Sequence, residues 1–426
     1  MTDDRSRPAA PGNSTMLLGL LLLAYVFNFL DRQIISILKI PIKAELGLTD
    51  TQLGLMGGIA FASVYSTLAI PIARYADRTG RRAQVIGISA AVWSLFTALC
   101  GAVTSFWQLF IARMGVGVGE AGGVAPSYAL ISEHFPPGKR ARALAIFSLG
   151  IPIGSALGLF FGGWLAEAIN WRVAFAIIGL AGLPVGWLIA TRLPEAPVAE
   201  SSPGVPVDQP PFFAVARELA GLPSFWLLSF AAASGSVGGY GLAFWLPSYF
   251  SEALGLSLGS IGTFFGIIVL VGGIAGIFLG GAIADRLGGA RISAYAVTPA
   301  VAYLLTAPLF AGAMQVESQL LAGALFTLAY AVSLAWLGPI INAIQSLVEP
   351  SRRATASASF LLINNLIGIG FGTFIFGFMA DYLRETHGDQ AMRYSILYGL
   401  GFYVLAAVLA FLAALTLKRD ARNASL

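Results

Sequence analysis

Four things are scarce in this chain, and each scarcity excludes a class of protein. Only 11% of its 426 residues are charged. A water-soluble domain keeps about a quarter charged because its surface must face water, so most of this surface must face something else. Cys100 is the only cysteine, which rules out an intrachain disulfide and a cysteine-based metal site. The two histidines, His134 and His387, fall in loops. A metallohydrolase within the membrane needs clustered ligands, and a serine hydrolase needs a His or Lys base. No Gly-x-x-x-x-Gly-Lys-Ser/Thr loop occurs, so ATP-driven pumping within the chain is out. An enzyme is not expected, and no cofactor or metal is implied.

What is abundant is apolar. Hydrophobic residues make up 57% of the chain, and there are 50 glycines. Small residues let helices approach closely in lipid. The net charge of +4 does not point to nucleic acid, because the cations sit in short segments beside apolar runs. A spanning helix needs about 20 mostly apolar residues. Twelve such spans can be marked: 16–38, 52–74, 83–104, 106–132, 143–167 and 171–192, then 224–248, 259–284, 292–313, 318–347, 355–381 and 394–417. The segment from Met16 reads as a retained first helix.

The expectation is an all-α polytopic membrane protein of twelve helices in two pseudo-symmetric six-helix bundles. A tail (1–15) precedes the first bundle (16–192). A Pro-rich linker (193–222) leads to the second bundle (223–417), and a second tail (418–426) follows. Within the linker, Phe212–Leu222 alternates apolar and charged residues, as an interfacial helix would. With the N-terminus inside, the inner segments hold 18 Lys/Arg and the outer segments five: Lys39, Lys43, Arg172, Arg384 and Arg393. Both termini are then cytoplasmic, and a bacterial inner membrane is the expected location.

The halves repeat. Ala73-x-x-x-Asp77-Arg78-Thr79-Gly80-Arg81-Arg82 after span 2 matches Gly281-x-x-x-Asp285-Arg286 after span 8, 208 residues later. Pro137-Gly138-Lys139-Arg140 matches Pro350-Ser351-Arg352-Arg353 at 213, and Gly163–Glu167 matches Gly377–Asp381 at 214. Three ordered matches at nearly one offset indicate a duplicated six-helix unit.

The Asp-Arg-x-Gly-Arg-Arg turn and its echo, Arg113-x-x-x-Gly117-x-Gly119 in span 4, and Trp171-Arg172 opening span 6 resemble the major facilitator superfamily. Asn28-Phe29-Leu30-Asp31-Arg32, Gly117-Val118-Gly119-Glu120-Ala121 and Phe135-Pro136-Pro137 resemble its spinster-like branch. The Asn-x-x-Asp-Arg word is also similar to one in the anion:cation symporter branch. The first resemblance implies a cytoplasmic gate formed by Asp77, Arg78, Arg81, Asp285 and Arg286, which locks the bundles when the cavity faces outward. The second implies transport associated, in animal members, with lysolipids and sphingosine phosphate.

Asp31, Arg32, Arg113 and Glu120 are the Asp, Glu, Lys and Arg residues well inside the spans. Each costs about 2.5–3.5 kcal/mol at a helix centre, so such residues mark ion or substrate pathways. Asp31 stands 15 residues above the start of span 1, about 22 Å up. Arg113 lies seven residues, about 10 Å, below the outer start of span 4, at similar height in a ~30 Å core. These heights predict that Asp31 pairs with Arg113, while Glu120 faces the lower cavity with its charge less well compensated. Glu120, then Asp31, are the expected proton carriers. Protonating one acid leaves the cluster positive, so Arg32 and Arg113 would take an anionic head group.

The second half offers no such charges. Tyr240, Asn342 and Asn364 are its candidate substrate residues, amid Phe244, Trp245 and Trp336. A charged first wall facing an apolar second wall suits an amphiphile. Ser234–Gly241 is Gly-rich enough to suggest a bent gate helix, whereas Gly150, Gly154, Gly158 and Gly162 read as a packing stripe. The expected activity is proton-coupled secondary transport of an amphiphilic anion by a monomer embedded in the lipid bilayer. Transport of small organic anions or drugs is the alternative within the class. A transporter-like receptor is the alternative outside it, and flux in sealed vesicles separates the two.

Overall fold

A computed structural model describes residues 11–195, 212–288, 292–349 and 352–423. Every regular element among the described residues is helical. Span 1 is α1 (Pro11–Leu46), span 2 is α2 (Asp50–Gly57) with α3 (Ile59–Thr79), and span 3 is α4 (Arg82–Cys100). Span 4 is α5 (Phe106–Glu120) with α6 (Val124–His134), span 5 is α7 (Pro137–Ser148) with α8 (Gly150–Ala168), and span 6 is α9 (Trp171–Arg192). The short α10 (Phe212–Ala220) leads into the second bundle. There span 7 is α11 (Pro223–Leu254), span 8 is α12 (Leu258–Gly288), and span 9 is α13 (Ala294–Ala313). Span 10 is α14 (Gln319–Ser333) with α15 (Leu337–Gln345), span 11 is α16 (Arg353–His387), and span 12 is α17 (Ala391–Gly399) with α18 (Gly401–Asn423).

Ten helical stretches are long and apolar enough to cross a membrane. One of them, Thr355–Ala421, is 67 residues long and holds two passes. Span 4 is not among the ten: Arg113, Glu120 and a run of glycines lower its hydropathy, and Ala121–Gly123 interrupt its helix. With those two adjustments the passes among the described residues number twelve, and the start of α1 and the end of α18 fall on one face, here the terminal face. The other is the distal face. Side-chain caps by Thr49, Ser105, Asn170 and Ser318 start α2, α5, α9 and α14, all at distal-face turns. Large apolar side chains such as Leu320, Leu415 and Trp107 are left exposed on the outside, where lipid rather than water is the compatible neighbour.

Several boundaries differ from expectation for identifiable reasons. Span 1 runs on to Leu46 instead of stopping at 38, carrying Lys39 and Lys43 within the helix. The expected tail after 417 is helical to Asn423. Its Asp420 accepts from Ser224 N (3.0 Å) and Ser224 Oγ (2.7 Å), so the end of α18 caps the start of α11. The interruption of span 4 at Ala121–Gly123 recurs in span 10 at Leu334–Trp336, 213 residues on, so the repeat extends to helix breaks. Residues 196–211, which contain most of the expected linker, lie outside the described residues.

The stripe on span 5 packs as expected. A Cβ on Gly158 would lie 2.6 Å from Leu30 O, and one on Gly150 would lie 3.0 Å from Tyr25. Thus α8 lies against α1 at backbone distance. On its other side α8 meets α12, where Gly262 and Gly266 approach Leu159 O and Ala156 O. Where a bent gate helix is expected in span 7, α11 is continuous through Ser234–Gly241. Those glycines make room for rings instead, with Tyr303 against Gly235, Tyr403 against Gly238 and Phe376 against Gly241.

Candidate functional site

The four charges inside the first bundle do meet, but the partners are exchanged. Arg32 donates through Nε to Glu120 Oε2, an ion pair between α1 and α5 in which Glu120 is fully buried. Arg113 reaches only the backbone O of Asp31, at 3.5 Å. Neither carboxylate oxygen of Asp31 has a hydrogen-bond partner among the described residues, although Asp31 is buried. The expected Asp31–Arg113 ion pair is therefore corrected: Arg113 lies near Asp31 but meets only its backbone, and Glu120 is the ion-paired acid. The reason is rotational. Neighbouring residues on a helix point about 100° apart, and α1 turns Arg32 rather than Asp31 toward Glu120.

Aromatic rings complete the setting. The Arg32 guanidinium lies 4.7 Å from the centroids of both Phe61 and Tyr65 and 5.2 Å from that of Phe29. Such contacts contribute about 0.5–2 kcal/mol and hold the plane of the fork. Tyr240, from the second bundle, packs against the same cluster of Phe61, Ala62, Trp93 and Ile369. Asn28, Trp93 Nε1, Ser94, Thr97 and Arg113 Nε add further buried polar atoms without partners among the described residues. Buried polar groups are normally satisfied, so this part of the first bundle is polar beyond what packing needs.

The other candidates scatter. Asn364 is buried between α16 and α11, where it accepts from Ser236 Oγ (2.9 Å), so it ties helices together. Asn342 is exposed on α15. At the terminal face, Arg78, Arg81 and Arg286 are exposed, while Asp77 accepts from Arg82 (2.9 Å), which also reaches Glu133. The Asp285 side chain lies outside the described residues. None of these forms a bond between bundles among the described residues.

The bundles meet at the distal face instead. Asp50 Oδ1 accepts from Lys43 Nζ (2.5 Å), and Asp50 Oδ2 from Arg384 Nη2 (2.6 Å). Asp381 accepts from Thr51 N (2.7 Å), Thr51 Oγ1 (2.6 Å) and Asp50 N (3.2 Å). Thr373 Oγ1 donates to Gly54 O (2.8 Å), Gln33 Nε2 to Ala243 O (3.0 Å), and Gly259 N to Glu167 Oε2 (2.5 Å). All hydrogen bonds between bundles among the described residues lie in this distal half, so the distal face is the one held shut. Reading Lys39, Lys43 and Arg384 as outer topology charges missed this lock. The available signal was spacing: Lys39 and Lys43 follow Arg32 by seven and eleven residues, on one side of a helix.

Residues 21–373 match the Major Facilitator Superfamily. The chain belongs to that superfamily. Within it, the chain is 34% identical over 427 residues to an MFS-type efflux pump of Mycolicibacterium smegmatis, covering 98% of this chain and 96% of the relative. It is 28% identical over 400 residues to Protein spinster homolog 1 of Homo sapiens, covering 88% and 75%. A bacterial homolog of the human lysosomal transporter Spinster, solved in an inward-facing and unoccupied conformation, superposes with a TM-score of 0.85 at 28% identity over 97% of this chain and 99% of that one. The spinster-like resemblance is thus borne out, and with it membership of a transporter superfamily rather than an enzyme family.

Proposed function

We propose that this superfamily member is a proton-coupled secondary transporter that works by alternating access and moves an amphiphilic anion of the lysolipid or sphingoid-phosphate kind. The single observation that carries the reading is the Arg32–Glu120 pair beside the unpartnered Asp31. A proton on Glu120 removes the counter-charge of Arg32 and frees its fork for phosphate or carboxylate oxygens, which it can bind in a bidentate manner. Phe61 and Tyr65 keep the guanidinium in place while its partner changes. Asp31 serves as a second proton site, and Arg113 adds positive charge to the head-group end. The apolar face of the second bundle, with Tyr240 nearest, accommodates the tail.

In this reading the terminal face is cytoplasmic, in keeping with the charge bias, and the protein works as a monomer in a bacterial inner membrane. The terminal face then opens to the cytoplasm, and Asp77, Arg78, Arg81, Asp285 and Arg286 close it in the opposite state. A second reading is export of small organic anions or drugs; the name of the M. smegmatis relative, an MFS-type efflux pump, supports its outward direction alone.

The test is a thermal-stabilisation screen of purified protein across lysophosphatidate, sphingosine phosphate and organic acids. It is followed by flux in sealed vesicles for wild type, Glu120→Gln and Asp31→Asn. Loss of pH-gradient-driven uptake with counterflow retained supports the coupling roles, and full coupling in both variants refutes them. Stabilisation without flux would make the protein a receptor.

A further inference from the structure

Arg32, Lys39 and Lys43 succeed one another along one side of α1, separated by seven and four residues, or about 10 Å and 6 Å of helical rise. The first pairs with Glu120 and the third with Asp50. Lys39, between them, is fully buried and pairs with no carboxylate among the described residues. Its Nζ donates to Ser36 O (2.7 Å) and sits 5.1 Å from the centroids of both Phe244 and Trp245, which belong to the second bundle. A cavity of about 70 Å³ adjoins it, lined by Lys39, Lys43, Asp50, Ser248, Ser251 and Glu252. Of its two acids, Asp50 is already held by Lys43 and Arg384.

We propose that Lys39 is a second anion subsite, which takes the head group of the cargo from Arg32 when the distal face opens. The proposal rests on the reading of the cargo as an amphiphilic anion. With the distal face closed, the rings of Phe244 and Trp245 cover the ammonium, and it does not compete with Arg32. When the bundles part distally, those rings leave with α11. Lys39 stays on α1 with three donors and one backbone acceptor, so oxygens of a phosphate head group fill its remaining donor positions. Glu120, once deprotonated, reclaims Arg32 and releases the anion toward it. The head group thus moves one rung, about 10 Å, along α1.

The experiment uses the full chain, lysophosphatidate as probe, and the variants Lys39→Met and Lys39→Arg. Stabilisation by the probe reads binding at Arg32 and confirms folding; counterflow in proteoliposomes reads passage. Lys39→Met should keep its apparent affinity within about twofold and lose flux about tenfold, and Lys39→Arg should restore more than about a third of it. The flux ratio of lysophosphatidate to the singly charged lysophosphatidylglycerol should also fall in Lys39→Met, which loss of a purely structural contact would not cause. Wild-type flux in Lys39→Met, failure of Lys39→Arg to rescue, or an unchanged ratio overturns the subsite while leaving the cargo reading intact. A wild type that neither binds nor moves an anionic amphiphile overturns the cargo reading, and the subsite with it.

Discussion

Arg32 and Glu120, 88 residues apart in sequence, are joined through Nε and Oε2, while Asp31, the immediate neighbour of Arg32, is buried without an ion pair of its own among the described residues. One acid is held by a cation and the other is buried beside it. Two carboxylates so differently placed need not ionise together.

Arg32→Met leaves Glu120 buried without its cation. Near neutral pH this should destabilise the protein by about 3–5 kcal/mol, the usual cost of removing one partner of a buried pair. The loss should shrink as pH falls, because protonated Glu120 needs no counter-charge. Thermal unfolding of wild type and variant between pH 5 and 8 checks both the size and the sign.

At the distal lock, Asp381 accepts three hydrogen bonds from α2, whereas the Arg384 side chain is 48% exposed. Asp381→Ala should therefore weaken distal closure by about 1–3 kcal/mol, and Arg384→Ala by less than about 1 kcal/mol. Spin-label distances across the distal face should show a larger open population in the first variant. Equal populations would contradict the ranking.

Gly54 lets α2 touch α16. A Cβ there would lie 2.5 Å from Thr373 O and 2.9 Å from Phe374 Cα, both backbone atoms that cannot step aside. Gly54→Val should hold the distal face open and cut transport by at least about tenfold, with each bundle still folded. Labelling of a cysteine placed at the distal face by an impermeant maleimide should rise in this variant, and labelling at the wild-type level would refute the contact.

Arg78 and Arg81 are exposed at the terminal face. Replacing either with Ala should change stability by less than about 0.5 kcal/mol yet slow transport, as the proposed role in closing the terminal face requires. A loss of stability with normal flux would reverse that assignment.

Span number and duplication were legible in the sequence because apolar length and a repeat near 210 residues survive in composition. The breaks at Ala121–Gly123 and Leu334–Trp336 were not, since three residues of interruption leave hydropathy unchanged. Helical rise gave the heights of Asp31, Arg113 and Glu120 correctly enough to bring them to one region. It could not say which side of α1 faces α5, and the partners depended on that. Lys39 was misread because a charge near the end of an apolar run looks like the water boundary. Here Phe244 and Trp245, distant in sequence, supply the neighbours that keep it inside.

The seam between α8 and α12 has a consequence of its own. Gly262 lies against Leu159 O and Gly266 against Ala156 O, and a Cβ on Gly273 would sit 2.9 Å from Pro152 Cβ, so much of the contact is backbone against backbone. Surfaces without interlocking side chains can roll over one another with few rotamers to reset. Such a joint behaves as a bearing rather than a latch and sets no strong preference of angle. In the proposed cycle the balance between the two tilts is then left to polar contacts, so that one proton or one head group at the Arg32–Glu120 pair is enough to tip a whole bundle.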